Sequence, residues 1–421
     1  MKHLLFLYVG LPLGGIETLL VRLAEGLHGR GVRLSVLLAT RRGDPELRRR
    51  LSQAARVGYL DEINPAALRG LPDAPLLRMS LPLNGKRLAD WLGGPPSACH
   101  VADTGSLLLA LRLAEVADIG PLTMGVYHDR EYLYQDPLVK TLGGDAAQAF
   151  RLTPPENLVF FNEASIRAHA DRYQLEASLL RCCPIGVNLA RFNGPPAGRQ
   201  GHRVVSIGRL TPFKTYNRVM LDVVERARQV GAALQWEVWG DGELRPWMEQ
   251  QIAARDLGSL VSLKGELRYD AMEQALAGAL AFVGSGTALV EASAAGVPAI
   301  AAIENERGDS SYGCLHDFAG LSYHDAGLPL PLTSISGRLE RLRAASPEAY
   351  ATECAAAQRR AKDFSLELTL DRFEALVNAR PFRPQATAAQ ALRWLAEMSA
   401  VKIMERAGRH SGFVHRHSAA Q

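Results

Sequence analysis

The sequence predicts an α/β protein made of two doubly wound parallel sheets in tandem, followed by C-terminal helices. Two observations carry that expectation. Short apolar runs alternate with amphipathic segments along most of the 421 residues, the pattern of parallel strands joined by crossover helices. The alternation breaks once, at "NGPPAGRQGH" (193–202), a stretch poor in apolar residues and rich in Pro and Gly, and then restarts. The expected division is residues 1–192, a linker at 193–202, a second unit at 203–380, and a basic C-terminal helix and tail at 381–421.

Each element follows from its local pattern. "HLLFLYV" (3–9) reads as a strand, and "GIETLLVRLAEGLHGRG" (15–31) as a helix with apolar positions near i, i+3 and i+4 and a glycine stop. Further strands are expected at 32–39, 98–103, 122–128 and 157–161. After the linker they recur at 203–208, 234–240, 260–265, 279–284 and 297–302, with helices starting near 215, 243 and 287. Helices fill 332–380. Open parallel sheets bind ligands at the carboxyl ends of their strands, so the expected site is a cleft that the two domains face.

The totals narrow the function. The net charge of +4 equals the excess of six basic residues (Arg383, Arg393, Lys402, Arg406, Arg409, Arg416) over two acidic ones (Glu397, Glu405) beyond residue 380. The body is therefore neutral, unlike a dedicated nucleic-acid binder. No apolar run reaches the roughly 18 residues that span a bilayer, and the first residues do not read as a secretory signal. Five cysteines form no C-x-x-C pair, and Cys182 and Cys183 are adjacent, which disfavours a mutual bridge. A reducing cytoplasm is expected.

Candidate chemistry lies at strand exits. "GSGTALVEA" joins two glycines, the second being the candidate donor-binding Gly286, to a helix start where the N–H groups of Thr287, Ala288 and Leu289 would meet a phosphate. Glu291, one turn on, would repel a bare phosphate but could accept hydrogen bonds from ribose hydroxyls, so a nucleotide fits both. The plain alternative is close helix packing with Glu291 on a solvated face. "SIGRLTPFKTYN" places Arg209 and Lys214 five residues apart after Gly208. Together they could hold a diphosphate, unless they are merely solvated cations. "WGDGELR" with Gly240, and "VSLKGEL" with Leu267, are weaker strand exits, the latter offering backbone to a base or sugar. "GLPLGGIET" supplies Gly14 and Gly15, and "VYHDREY" puts His128 at a strand end, although a lone histidine is more often structural. "ADTG" (102–105) is isolated and is set aside as a protease signature. No H-E-x-x-H, Asp-x-Asp or ligand-spaced Cys/His set occurs, so no metal and no cofactor is expected.

In order, "GGIET", "YHD", "PIGVNLARF", "IGRLTPFK", "WGDGELR", "VSLKGEL" and "LVEASAAGVP" resemble the retaining glycosyltransferases of the GT-B fold that build bacterial polysaccharides and glycolipids, the family 4-like group. The resemblance covers residues 1 to about 380 and is most specific over 203–302. It implies that Arg209 and Lys214 hold the donor diphosphate and that Glu291 binds the ribose. It implies that the Gly14–Gly15 loop closes over the reaction centre and that His128 touches the donor sugar. It implies a metal-independent transfer from a UDP- or GDP-linked sugar to a saccharide or lipid-linked acceptor. One departure stands out: the family carries a second glutamate eight residues before the ribose-binding one, and here that position is Val283.

Residues 388–409 read as an amphipathic helix bearing Trp394, Leu395, Met398 and Val401. It either packs on the protein or a partner, or lies on the inner face of the plasma membrane. Three rival functions are an NADP-dependent oxidoreductase using Arg41 and Arg42, a GT-B sugar-nucleotide epimerase, and a non-catalytic GT-B relative.

Overall fold

Strand β1 (His3–Tyr8) is buried along its whole length, as a parallel strand between two helical layers must be. The computed structural model describes residues 2–12, 14–64, 72–127, 131–133, 140–192, 194, 198–232, 234–268, 271–383, 388–407 and 409, with backbone alone for 140–144, 388, 391, 405 and 406. With β2 (Arg33–Leu38), β3 (Arg56–Tyr59), β4 (Ala98–Val101), β5 (Leu122–Val126) and β6 (Leu158–Phe160), β1 forms a six-stranded sheet in the order β3-β2-β1-β4-β5-β6. All its pairings are parallel. Strand order reverses beside β1, so the rim between β1 and β4 is this sheet's natural ligand position.

The second sheet has seven strands: β7 (Arg203–Ile207), β8 (Gln235–Trp239), β9 (Val261–Gly265), β10 (Ala281–Gly284), β11 (Ala299–Ala302), β12 (Ser310–Cys314) and β13 (Thr333–Ser334). Their order is β13-β12-β11-β10-β7-β8-β9. Strand β12 pairs antiparallel with both β11 and β13, an edge that the sequence pattern did not announce because "SSYGC" and "TS" lack an apolar run. Here the order reverses between β7 and β10, and those two strands are hydrogen-bonded neighbours. The helices expected in 332–380 are Ile335–Ala344, Pro347–Ala361 and Leu366–Ala375.

The compact units differ from the boundaries read in the sequence. One consists of Met1–Cys183 with Glu367–Ala420, the other of Pro184–Leu366. The chain changes unit at Cys183 rather than after 192 because Val187 exchanges hydrogen bonds with Phe364 (3.0 Å) and Leu366 (2.9 Å). Val187 and Phe192 also sit in the core beneath β7 and β10. Residues inside the expected linker are pinned to the second unit too: Arg199 donates to the Ala345 carbonyl at 2.6 Å and Gln200 to Gly278 at 2.8 Å. Helix Leu366–Ala375 returns to the first unit, with Phe373 against His100 (ring centroids 5.2 Å) and Arg30 bonded to Asp371 at 2.6 Å. No disulfide joins the five cysteines.

The amphipathic C-terminal segment is helix Ala388–Arg406. Trp394, Leu395, Met398 and Val401 are buried in the same core as Met79, Leu107 and Phe150. The Trp394 indole donates to Asp145 Oδ2 at 2.7 Å. These four apolar residues thus pack in the first unit's own core, as the packing alternative expects. Among the described residues no helix is long and apolar enough to cross a membrane. Replacing Trp394 by Ala should cost the first unit about 3–5 kcal/mol, seen as a lower urea midpoint. An unchanged midpoint would remove this helix from the core.

Candidate functional site

The exits of β7, β8 and β9 come together backbone to backbone. Gly208 N–H donates to the Trp239 carbonyl at 2.9 Å, and Gly240 N–H to the Gly265 carbonyl at 2.7 Å. Gly240 has φ 135°, and a Cβ there would lie 2.0 Å from the Gly208 carbonyl oxygen, so only glycine permits the approach. The reversal of strand order places the loop after β10 next to the loop after β7. Gly208, Arg209, Lys214, Gly240, Leu267, Gly286, Thr287, Ala288, Leu289 and Glu291 all belong to this unit's strand exits or the helices that follow them.

Two cations stand out there. Arg209 is exposed and Lys214 half-buried, and among the described residues neither forms an ion pair or a side-chain hydrogen bond. By contrast, Arg203, Arg226, Arg245 and Arg255 in the same unit are all paired with carboxylates. A Cβ on Gly208 would fall 2.7 Å from Lys214 Nζ, which locates the ammonium under the β7 exit. Burial lowers the Lys214 pKa from its ordinary value; the nearby Glu304 carboxylate pulls it up and Arg209 pushes it down. The loop itself holds buried oxygens with no partner among the described residues: Thr211 Oγ1, Thr215 Oγ1 and Asn217 Oδ1.

Across from this loop, helix Thr287–Ala294 starts at Gly286 (φ 72°, ψ −164°) with no side-chain cap. Such a φ favours glycine. One expectation is corrected: the Leu289 N–H donates to the Gly286 carbonyl at 3.1 Å, closing a tight first turn. The Thr287 and Ala288 N–H groups have no acceptor among the described residues. The helices after β7 and β8 likewise begin without a side-chain cap, at Thr215 and Leu244. Those after β2, β4 and β6 are capped by Asp44, Asp103 and Asn162. The uncapped starts leave positive helix ends at the rim of the second sheet.

Glu291 is 4% exposed, so the solvated-face alternative fails. The Tyr323 phenol is held well above its ordinary pKa by burial and then by the carboxylates of Asp325, Glu304 and Glu291. Sequence reasoning missed Glu304. It follows β11, and its Oε1 accepts a hydrogen bond from the buried Ser285 hydroxyl at 2.8 Å. Beside β8 and β9 lies a pocket of about 440 Å³ lined by Trp239, Glu266, Leu267 and Arg268, with Arg203 and Glu237 in its wall. The buried Trp239 indole N–H has no acceptor among the described residues. The expected Leu267 position is therefore part of a concavity large enough for a heterocyclic ring.

In the first unit, Gly14 and Gly15 open helix Gly15–Gly29 after β1. Its N-terminus differs from that of Thr287–Ala294. The buried Glu17 carboxylate folds back so that a Cβ on Gly14 would lie 2.4 Å from Glu17 Oε2, and Tyr8 donates to Oε1 at 3.1 Å. The chain's own acid thus faces this helix end. His128 lies outside the described residues. Asp103 of "ADTG" accepts from the Ser106 N–H at 2.6 Å as a helix cap, which accounts for that motif without catalysis. Arg41, invoked for a 2′-phosphate, is already bonded to Asp61 (2.8 Å) and Glu62 (2.7 Å) and lies over Tyr59.

One grouping the sequence spacing did not reveal is Cys314, His316 and Glu353, whose potential ligand atoms lie within 4.8 Å of one another. The Arg338 guanidinium already occupies its centre, meeting Cys314 Sγ at 3.2 Å, His316 Nε2 at 3.4 Å and Asp317 Oδ1 at 3.1 Å, and bonding Glu353 as well. Burial pushes the Cys314 thiol up to about 12. With Arg338 at their centre these groups form an internal polar network.

No protein-family model and no curated protein matches the sequence. Solved structures do. A glycosyltransferase from Rickettsia africae aligns with TM-score 0.63 at 12% identity, covering 88% of this chain and 96% of that one. HepE from Anabaena, solved in complex with UDP, aligns with TM-score 0.62 at 16% identity, over 89% and 98%. S. aureus TarM, solved as a mutant with fondaparinux, α-GlcNAc-glycerol and UDP, aligns with TM-score 0.61 at 11% identity, over 90% and 100%. At such identities the likeness is one of fold, and the fold is GT-B. Within it, Gly240→Ala should destabilise the second unit by more than about 1 kcal/mol, read as a lower thermal midpoint; a wild-type midpoint would show that the exits of β7 and β8 can part without cost.

Proposed function

We propose that the protein is a glycosyltransferase that moves a sugar, with retention, from a UDP- or GDP-linked donor to a saccharide or lipid-linked acceptor. One observation carries the reading. Where strand order reverses, two cations without carboxylate partners lie beside an uncapped helix start, and these suit a diphosphate. The buried Glu291 suits the ribose hydroxyls, and the pocket at Trp239 and Leu267 suits the base. The UDP named for two fold neighbours is consistent with this assignment.

The chemistry follows from charge. The bond between the anomeric carbon and the diphosphate oxygen breaks, and negative charge grows on the leaving group. Arg209, Lys214 and the helix end, already oriented, stabilise that charge without rearrangement. The acceptor hydroxyl adds to the same face of the sugar, and its proton passes to the departing phosphate oxygen. The cations take the place of a metal, so chelation with EDTA leaves turnover unchanged. A non-catalytic relative is the second reading, motivated by the absence of an acid at Val283.

A thermal-shift series with UDP, GDP and their sugar conjugates tests the proposal, since a ligand of the folded state alone raises its melting point. One nucleotide series should stabilise the wild type. Arg209→Ala and Lys214→Ala should each abolish that shift and lower turnover at least about 100-fold; unaffected turnover would end the assignment. A pH profile gives a second test. The charged Lys214 binds the dianion, and its pKa in the free protein is lowered by burial, whereas a bound diphosphate raises it again. Binding therefore takes up a proton above the lowered value, and affinity should fall as pH rises through it, approaching about tenfold per pH unit. In Lys214→Arg that fall should vanish, because the guanidinium stays charged.

A further inference from the structure

Position 283, where an acid would be expected from the family resemblance, is a valine buried inside β10. No side chain there could reach a ligand. A carboxylate nevertheless arrives at the same rim from the neighbouring strand. Strand β11 pairs with β10 so that Ala301 lies opposite Gly284, and Glu304 follows its end as Ser285 follows the end of β10.

Glu304 is held from three directions. The 1%-exposed Ser285 donates its hydroxyl to Oε1. The Glu304 N–H donates to the His324 carbonyl at 2.9 Å, and the next residue, Asn305, donates its N–H to the Phe213 carbonyl at 2.8 Å. Phe213 precedes Lys214, so the Glu304 loop is tied directly to the cationic loop. Asn305 adopts φ 62° to make that connection. Half-buried, Glu304 faces Lys214, Tyr216 and Tyr323 electrostatically. Yet Lys214 makes no ion pair within 4.0 Å among the described residues. A cation and an anion, each fixed by its own loop, stand near one another without touching. The second oxygen of Glu304 has no partner among the described residues.

A carboxylate accepts hydrogen bonds and cannot donate them, so its ligand must bring hydroxyl or ammonium groups. A ligand reaching from the Lys214 loop to Glu304 would have to change from phosphate to polyol across its length. We propose that Glu304 is the carboxylate that grips a hydroxyl of the transferred sugar, held for that task by Ser285. The assignment rests on the nucleotide-sugar reading above. It makes Glu304 a specificity-determining residue supplied by β11 where the β10 position is apolar.

The experiment compares calorimetric affinities of the wild type, Glu304→Gln and Ser285→Ala for UDP, GDP, UDP-glucose, UDP-galactose, UDP-N-acetylglucosamine and GDP-mannose. The wild type should bind its preferred sugar nucleotide more tightly than the matching nucleoside diphosphate. Glu304→Gln should keep the diphosphate affinity within about twofold and lose at least about tenfold for the sugar nucleotide. Ser285→Ala should show a smaller loss of the same kind. Equal losses for both ligands, equal gains from removed repulsion, or no change would each overturn the role of Glu304 while leaving the donor site standing. Failure of the wild type to bind any nucleotide would instead bring down the donor site itself. A Glu304→Gln melting point within a few degrees of wild type confirms that the comparison is between folded proteins; if it is not, Ser285→Ala alone decides by the same criteria.

Discussion

Everything proposed for the second unit depends on how closely its strand ends can approach. The carbonyl of Gly208 sits where any side chain on Gly240 would have to be, and through this contact the exits of β7, β8 and β9 share one rim. The reversal of strand order then sets β10 beside β7, so a helix that starts without its own cap neighbours a loop carrying cations without carboxylate partners. Neither feature is useful alone. A helix end is a weak anion site, and exposed cations are ordinary, but placed on adjacent strands they address the same volume.

Electrostatic balance in that volume differs from that around several other arginines of the chain. Arg30, Arg50, Arg338 and Arg360 are each matched with acids. Lys214 is left half-buried with Glu304 near but out of contact, at a cost in desolvation that shows as a lowered pKa. Stability alone would favour closing that pair or moving the lysine to solvent. In the proposed function, a partly desolvated and unmatched charge attracts an incoming dianion at a smaller desolvation cost on binding.

Much of this was legible in the sequence. Ten strands and the helices between them follow from apolar runs and glycine stops, and the loop residues Arg209, Lys214 and Glu291 were visible because glycines mark strand exits. The rest was hidden for definite reasons. Strands β3, β12 and β13 are short and contain Gly, Ser, Thr or Arg, so no periodicity exposes them. Glu304 lies in "IENERGD", which reads as a solvated loop, and only the pairing of β11 with β10 brings it to the rim. The Arg338 network joins residues far apart in the chain. The boundary at Cys183 was masked because "PIGVNLARF" looks like an extension of the first unit, although Val187 and Phe192 pack in the second. For the C-terminal helix the sequence left packing and membrane contact open, because it does not show that Trp394 has a place in the first unit's core.

The second unit is an insertion in the chain of the first, with its two ends bonded to each other through Val187, Phe364 and Leu366. On the ribosome, the inserted body can therefore complete its core while the interrupted one still waits for its last helices. Until residues 367–406 emerge, the surface that will receive Leu370, Phe373, Trp394 and Val401 stays uncovered. A nascent chain of this design exposes its stickiest face longest at the N-terminal end of the product, the segment made earliest, which inverts the usual order of domain maturation during synthesis.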